Sequence, residues 1–325
     1  MKKRKLRLPF RILRTLSIVV IILIGTIFVA YKYFIEDDLN AIINAYETNI
    51  YNEELENNLN PRTDSYSIAI LGVDEDLETS RTDSINLMVV NPKTNEMNLY
   101  SIPRDTYVQY NCINDYSDKI TNANNYGGVE CTLDALNNIF NIEVDFYIKL
   151  DFQGFLSIID QLGTIETNIP DFYDGTPWCE QTSNRMDEIC FSEFGAQEIN
   201  SEQALAIARS RQHSSDLDRN NLQSQIISDT IKEVLKIRDL KKIEDIIYSV
   251  EGQVETNIDT KQAFYMTYNM YKFNKDEKAI QSYQLLGVAE YTTGDYSGYA
   301  SYFILDTQEL QKIREELDNF MNKEG

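Results

Sequence analysis

The sequence predicts an α/β sandwich carried behind a single membrane anchor, and three observations point there. Strand-type and helix-type hydrophobic runs alternate from Tyr66 to Phe320, the order of an α/β fold. Seven cations and no acid occupy the first fourteen residues, and seventeen uncharged positions run from Thr15 to Tyr31. Five of the nine arginines beyond that segment gather beside acids in three short stretches.

Residues 1–14 read as a basic cytoplasmic tail and 15–34 as a transmembrane anchor. The apolar run is near the short end for a spanning helix, and Phe28, Tyr31, Tyr33 and Phe34 extend it into the interface. A cleaved signal peptide is the competing reading; the length of the apolar region and the lack of a small-residue cleavage site argue against it. The positive-inside rule keeps the tail in the cytoplasm, so the chain is expected at the cell membrane as a single-pass protein with everything after Tyr31 outside. Residues 35–64 are polar and acidic with helical spacing at Leu39, Ile42, Ile43 and Tyr46, which predicts an extracytoplasmic helical stalk ending near Pro61. Residues 65–325 then have the composition of one packed domain of about 260 residues.

The chain carries a formal net charge of −22. Taking the seven tail cations from the 30 Lys and Arg leaves 23 against 52 Asp and Glu outside, which excludes nucleic acid and an anionic membrane surface as partners of that region. Four cysteines lie in the exported part, where disulfides persist. Three connectivities are possible, and short loops favour Cys112 with Cys131 and Cys179 with Cys190. Zinc is disfavoured because the spacings fit no finger and His213 is the only histidine, which also argues against a Ser-His-Asp or Cys-His hydrolase.

Along the domain, Ser67 to Val73 reads as a strand. Ile85 to Val90 and Met97 to Ile102 flank an Asn91-Pro92-Lys93-Thr94-Asn95 turn and form a hairpin. Leu133, Leu136, Ile139 and Phe140 mark a helix; Phe146 to Leu150 is a strand; Phe155 to Leu162 is a helix stopped by Gly163. Ile165 to Ile169 is a strand closed by Pro170. Asn200-Ser201-Glu202-Gln203 opens a helix through Ala208 with a capping box. A longer helix over Asn220 to Ile237 places Leu222, Ile226, Ile227, Ile231, Val234 and Leu235 on one face. Helices near Ala263 to Tyr271 and Leu310 to Phe320, with strands at Ser282 to Leu286 and Tyr302 to Leu305, complete the chain.

The arginine groups are Arg81-Thr82-Asp83, Pro103-Arg104-Asp105, and Arg209-Ser210-Arg211 followed by Asp216-Leu217-Asp218-Arg219. Arginine forks match phosphate oxygens, and carboxylates supply the hard oxygen ligands of a divalent cation, so together they point to a phosphate site with a metal. The bland readings are local. Arg209 and Arg211 complement a helix C-terminus, and Asp216 or Asp218 serves as an N-cap. Arg219 resists this, because a cation at a helix start opposes the dipole where free amides already favour an anion. Gln223 shares its face, four residues on.

These residues, with others in the same order, resemble the LytR-CpsA-Psr family from about Tyr66 to Phe320. The matching stretches are Ile68-Ala69-Ile70-Leu71-Gly72-Val73-Asp74, Arg81-Thr82-Asp83-Ser84, Val89-Val90-Asn91-Pro92-Lys93-Thr94 and Ser101-Ile102-Pro103-Arg104-Asp105-Thr106-Tyr107-Val108. They continue through Lys119-Ile120-Thr121-Asn122-Ala123, Tyr126-Gly127-Gly128, Asp145-Phe146-Tyr147, Asp151-Phe152-Gln153-Gly154-Phe155, Asn200 to Leu205, Arg209-Ser210-Arg211, and Asp216 to Arg219 with Gln223.

The resemblance implies an α-β-α sandwich on a central mixed β-sheet. It implies a phosphotransferase that moves an anionic glycopolymer, teichoic acid or capsular polysaccharide, from a polyprenyl-pyrophosphate carrier to peptidoglycan and releases polyprenyl phosphate. By the same resemblance Arg81, Arg104, Arg209, Arg211 and Arg219 hold the pyrophosphate, with Lys119, Asp216 and Gln223 on the polar rim. Asp74 and Asp83 hold Mg2+ (or Mn2+). Asp83, or water held by the cation, is the candidate proton acceptor, alongside Arg81 and Arg104 as catalytic groups. Phe152, Phe155, Ile159, Ile226 and Ile227 are candidate walls of a lipid tunnel, or ordinary core. Asp218 stands where the family usually has glycine, and Leu222 where a further arginine is often found. A lipid-binding or regulatory protein and a lipid pyrophosphatase are the alternatives.

Overall fold

The computed structural model describes residues 65–73, 81–184, 186–210, 216–237, 240–250, 252–258, 262, 266 and 280–324. All belong to the unit Leu59–Gly325. The expected tail, anchor and stalk over 1–64 lie outside the described residues, as do Asp74, Arg211 and most of the helix expected near Ala263 to Tyr271. No described helix is long and apolar enough to cross a membrane.

In chain order the elements are β1 (Tyr66–Val73), β2 (Thr82–Asn91), β3 (Glu96–Ile102), β4 (Tyr107–Tyr110), β5 (Tyr116–Lys119), α1 (Ala123–Phe140), β6 (Phe146–Leu150) and α2 (Phe152–Leu162). They continue with β7 (Ile165–Ile169), β8 (Trp178–Gln181), β9 (Glu188–Phe191), β10 (Gly195–Ile199), α3 (Ser201–Arg209), α4 (Asp216–Lys236), α5 (Leu240–Ser249) and β11 (Val254–Thr256). Last come β12 (Ile280–Gln284), β13 (Gly287–Gly294), β14 (Gly298–Leu305) and α6 (Thr307–Met321).

Six strands form one sheet in the order β11-β6-β1-β2-β3-β12. β1, β2 and β3 are mutually antiparallel, whereas β6 runs parallel to β1 and β12 parallel to β3, so the sheet is mixed. The β2–β3 turn is built by Asn91, whose Oδ1 accepts from the amides of Lys93 and Thr94 while its Nδ2 donates to the Phe320 and Lys323 carbonyls of the C-terminal segment. The parallel β1–β6 pair requires a crossover, and α1 lies within it.

Alternate residues of the central strands face opposite layers. Leu71, Ile85, Leu87 and Tyr100 pack with Leu136 and Phe140 of α1 and Leu317 of α6. Ile68, Met88, Leu99 and Phe146 pack with Leu235 of α4. The layers are therefore helix, sheet, helix. A further core joins α2, α3 and α4 to the short strands β7 to β10 through Ile159, Ile165, Ile199, Ile207 and Ile226.

The capping box at Asn200 and Gln203 is present with both reciprocal bonds, and Gly163 ends α2 at φ 94°. Both expected disulfides form, Cys112–Cys131 and Cys179–Cys190. The long helix corrects the sequence reading: α4 starts at Asp216 rather than Asn220, so Asp216 and Asp218 lie inside its first turn and neither is the N-cap. Acids there still suit the positive helix end. α1 begins ten residues before Leu133 and kinks at Gly127 and Gly128, the latter at φ 71°.

Candidate functional site

The β1–β2 register explains how Asp83 is displayed. Gly72 pairs with Ser84 and Val73 with Thr82, so the ladder skips Asp83. This is a β-bulge, which leaves one residue unpaired and re-aims its side chain. Thr82 beside it is fully buried.

Arg104 reaches the same place from the turn after β3. The Thr106 amide closes that turn on the Pro103 carbonyl at 2.9 Å. Thr121 fixes it, donating its amide to the Arg104 carbonyl (3.0 Å) and its hydroxyl to the Thr82 carbonyl (2.8 Å). Arg104 Nη1 then donates to Asp83 Oδ1 at 2.9 Å. Its Nε is 3.8 Å from Asp105 Oδ2, and Asp105 Oδ1 accepts from Lys119 Nζ at 2.6 Å. Lys119 Nζ stands 5.5 Å above the Tyr302 ring, a cation–π contact. The four charged side chains are 21–31% exposed, so the array meets solvent and keeps a rigid base.

A cavity of about 610 Å³ opens beside this array. Gly72, Asp83, Ser84, Arg209 and Gln223 supply polar lining, and Ile70, Met88, Ile148, Phe155, Ile226 and Ile227 make apolar walls between the sheet and α2 to α4. Gln223 Nε2 donates to the Ala208 carbonyl at 3.2 Å, satisfying a terminal group of α3 and tying α4 to the end that carries Arg209. An apolar chamber edged by arginine, carboxylate and amide suits an amphiphile with an anionic head.

Of the expected tunnel residues, Phe155, Ile226 and Ile227 line this cavity. Ile159 does not; it is fully buried in the α2–α4 core. The Phe152 side chain lies outside the described residues. Lys119 is drawn to Asp105 and does not line the cavity. Arg81 is exposed just before β2. It also acts on the Tyr126 phenol, which burial and Asp118 push upward and Arg81 pulls back. Asp74, Arg211 and the side chains of Asp216 and Arg219 lie outside the described residues.

Sequence reasoning gave no individual site role to three lining or bridging acids, although Asp105 and Asp151 stand in stretches it singled out. Asp105 links Arg104 to Lys119, and its adjacency to Arg104 was the available signal. Asp151 lines the cavity while its carboxylate caps α2 on the Gly154 amide at 2.8 Å. Glu180 reaches the cavity on the β8–β9 hairpin stapled by Cys179–Cys190, and no local signal marks it.

The residues also bear on a divalent cation. Asp83 Oδ1 is taken by Arg104, and Oδ2 has no hydrogen-bond donor among the described residues. One hard oxygen is thus available, and a Mg2+ bound mainly through substrate phosphates needs only one or two carboxylates. No group of three or more His, Cys, Asp or Glu that could hold a metal occurs among the described residues, which do not include Asp74.

Comparison with known proteins agrees with this geometry. The polyisoprenyl-teichoic acid–peptidoglycan teichoic acid transferase TagU of Bacillus subtilis (strain 168) is 30% identical over 273 residues, spanning 81% of this chain and 80% of its own length. TagU of Bacillus licheniformis is 32% identical over 267 residues, spanning 80% and 79%. The crystal structure of B. subtilis TagV superposes with a TM-score of 0.68 at 28% identity, covering 80% of this chain and 98% of that one. TagT bound to LI-WTA superposes at 0.63 with 25% identity, covering 82% and 94%. Residues 33–319, most of the chain, match the model of one family, and on that match this chain belongs to the LytR_cpsA_psr family.

Proposed function

We propose that the chain is a membrane-anchored phosphotransferase. It attaches an anionic glycopolymer, teichoic acid or capsular polysaccharide, from a polyprenyl-pyrophosphate carrier to peptidoglycan and releases polyprenyl phosphate. The observation that carries this reading is the joining of an apolar cavity to the Asp83, Arg209 and Gln223 rim beside Arg104. The relatives named as teichoic acid transferases, and TagT bound to LI-WTA, support it.

In the proposed reaction a peptidoglycan sugar hydroxyl attacks the polymer-bearing phosphorus. A new P–O bond forms, the bridging P–O bond breaks, and its electron pair leaves with polyprenyl phosphate. Arg81, Arg104 and Arg209, with Arg211 and Arg219, hold the pyrophosphate and stabilise charge on its oxygens, the main requirement of phosphoryl transfer. Asp83 takes the hydroxyl proton. Asp83 and Asp74 would hold Mg2+ or Mn2+, which supplies charge neutralisation on the pyrophosphate. Lys119 acts here through Asp105, holding the carboxylate that flanks Arg104. The seven tail cations and the two disulfides support a cytoplasmic N-terminus and an extracytoplasmic domain.

The test uses the full chain in detergent with lipid-linked polymer and peptidoglycan oligomers. Arg104→Ala should weaken donor binding about tenfold or more, since charge-assisted forks are the strong contacts, and lysine should not restore it. Lys312→Ala, on the exposed face of α6, should leave donor binding unchanged. Equal donor affinity in both variants would dissolve the proposed cluster. Release of polyprenyl phosphate without an acceptor would make the protein a pyrophosphatase, and binding without release a carrier.

A further inference from the structure

Resting on that reading, we infer that the β13–β14 hairpin is the docking surface for the acceptor's uncharged glycan strand, with Tyr291 and Tyr299 as its stacking rings. These two tyrosines are 67% and 74% exposed. Large exposed apolar surface that recurs on one small element marks an interaction site. The pairing of Tyr291 with Ser301 and of Thr293 with Tyr299 puts both rings on one face of the ribbon. Their centroids are 5.8 Å apart at 35°, a tilted pair with hydroxyls of Ser301 and Thr293 at register positions beside it.

Charge selects the occupant. Between Gly287 and Leu305 the chain has Glu290 and Asp295 and no lysine or arginine. Such a surface repels the anionic donor polymer and anionic lipid headgroups. Sugar rings, apolar on their C–H faces and hydroxylated at their edges, match tyrosines flanked by Ser and Thr.

Position joins this surface to the chemistry. The Phe303 amide donates to the Asp105 carbonyl at 2.8 Å, and Tyr302 lies under Lys119, so the hairpin is built onto the turn that carries Arg104. Its tip is held as firmly. The Ser117 amide donates to Asp295 Oδ2 at 2.6 Å, and the buried Asp118 carboxylate accepts from Ser297, Tyr302 and Asn122. Beyond the tip, Tyr296 stacks on Tyr126 at 3.9 Å, the phenol on which Arg81 acts. The hairpin is therefore anchored beside the arginines, with the exposed pair on the face opposite Tyr302, and these contacts hold it before any ligand arrives, which lowers the cost of binding.

The test measures co-sedimentation of the full chain, in detergent micelles, with purified sacculi stripped of attached polymer. The double substitution Tyr291→Ala with Tyr299→Ala should weaken binding about tenfold, the order expected from loss of exposed stacking rings. Replacing both by phenylalanine should keep most of it, and Tyr173→Ala should change nothing. In transfer assays the alanine variant should raise KM for the acceptor and leave KM for the lipid donor alone. Independently of any variant, soluble glycan oligomers should slow hydrogen exchange of residues 288–301 in the wild-type chain. Unchanged sacculus binding in the alanine variant would overturn the proposal. So would protection of 288–301 by nanodisc lipid without glycan, or by self-association that the same substitutions abolish. Loss of donor binding and transfer in the wild type, with tyrosine-dependent sacculus binding intact, would instead refute the transferase reading alone.

Discussion

Asp83 owes its placement to one extra residue in β2, and its partner Arg104 to a turn locked by Thr121. Replacement by asparagine keeps the shape and removes the charge, so Arg104 is released from its ion pair while the proposed cation would lose a ligand. Asp83→Asn should therefore retain or tighten donor binding and cut transfer about 100-fold, the order seen when one transition-state electrostatic contact is lost. Transfer followed across a magnesium titration, with melting checked in parallel, decides this. A collapsed melting temperature would make Asp83 structural, and full transfer at low magnesium would remove it from the site. A second residue-scale effect concerns pH. Burial, reinforced by Asp118, pushes the Tyr302 phenol up to about 12 from an ordinary 10.0, and burial does the same for Tyr100. Both groups hold their proton more tightly when folded, so their contribution is intact below pH 10 and is lost as pH rises toward 12. Melting temperature should fall across that window, and Tyr302→Phe should make the fall shallower. An identical slope in the variant would show that Tyr302 takes no part. The motif arginines and acids were legible in the sequence as types in clusters. The bulge at Asp83 and the diversion of Lys119 to Asp105 were not, because both depend on pairing across strands.

At the scale of elements, legibility followed local signals. The capping box at Asn200, the stop at Gly163 and the Asn91 turn are written in a few adjacent residues, and each forms as read. The short hairpins β4–β5 and β8–β9 have four residues per strand, too few for alternation to separate strand from loop. The early start of α1 was hidden by its two glycines, which punctuate a helix locally. The structure explains one of them. A Cβ on Gly127 would meet Cys131 Cβ at 2.8 Å and its Sγ at 3.1 Å, so the helix passes the Cys112–Cys131 bridge only where there is no side chain. Gly127 has φ −138°, which alanine adopts freely, so the obstacle is contact and not backbone strain. Gly127→Ala should cost about 1–3 kcal/mol, the range for overpacking a filled site. Denaturant unfolding under oxidising conditions measures it, and a change within error would mean that the cysteine loop gives way.

The whole molecule combines parts that the sequence specifies unequally. Hydrophobic runs identify which strands are buried, but they do not say which neighbours they take. Parallel pairs such as Ile68 with Phe146 and Met97 with Ile280 join distant segments, and the cavity exists only once those pairings bring α2, α3 and α4 over the sheet. Charge asymmetry, by contrast, is read directly. Seven cations precede the uncharged run from Thr15 to Tyr31, and the acids and cysteines all follow it. Cations are retained on the cytoplasmic side during insertion, and paired cysteines persist where the surroundings are oxidising, so both signals support the proposed orientation. A membrane-impermeant protease added to intact protoplasts should digest the domain and spare an amino-terminal tag. Addition of a reductant before the protease should speed digestion, since Cys112–Cys131 and Cys179–Cys190 staple loops of the exposed domain. A protected domain with a severed tag would reverse the orientation, and would at the same time separate the site from a peptidoglycan acceptor.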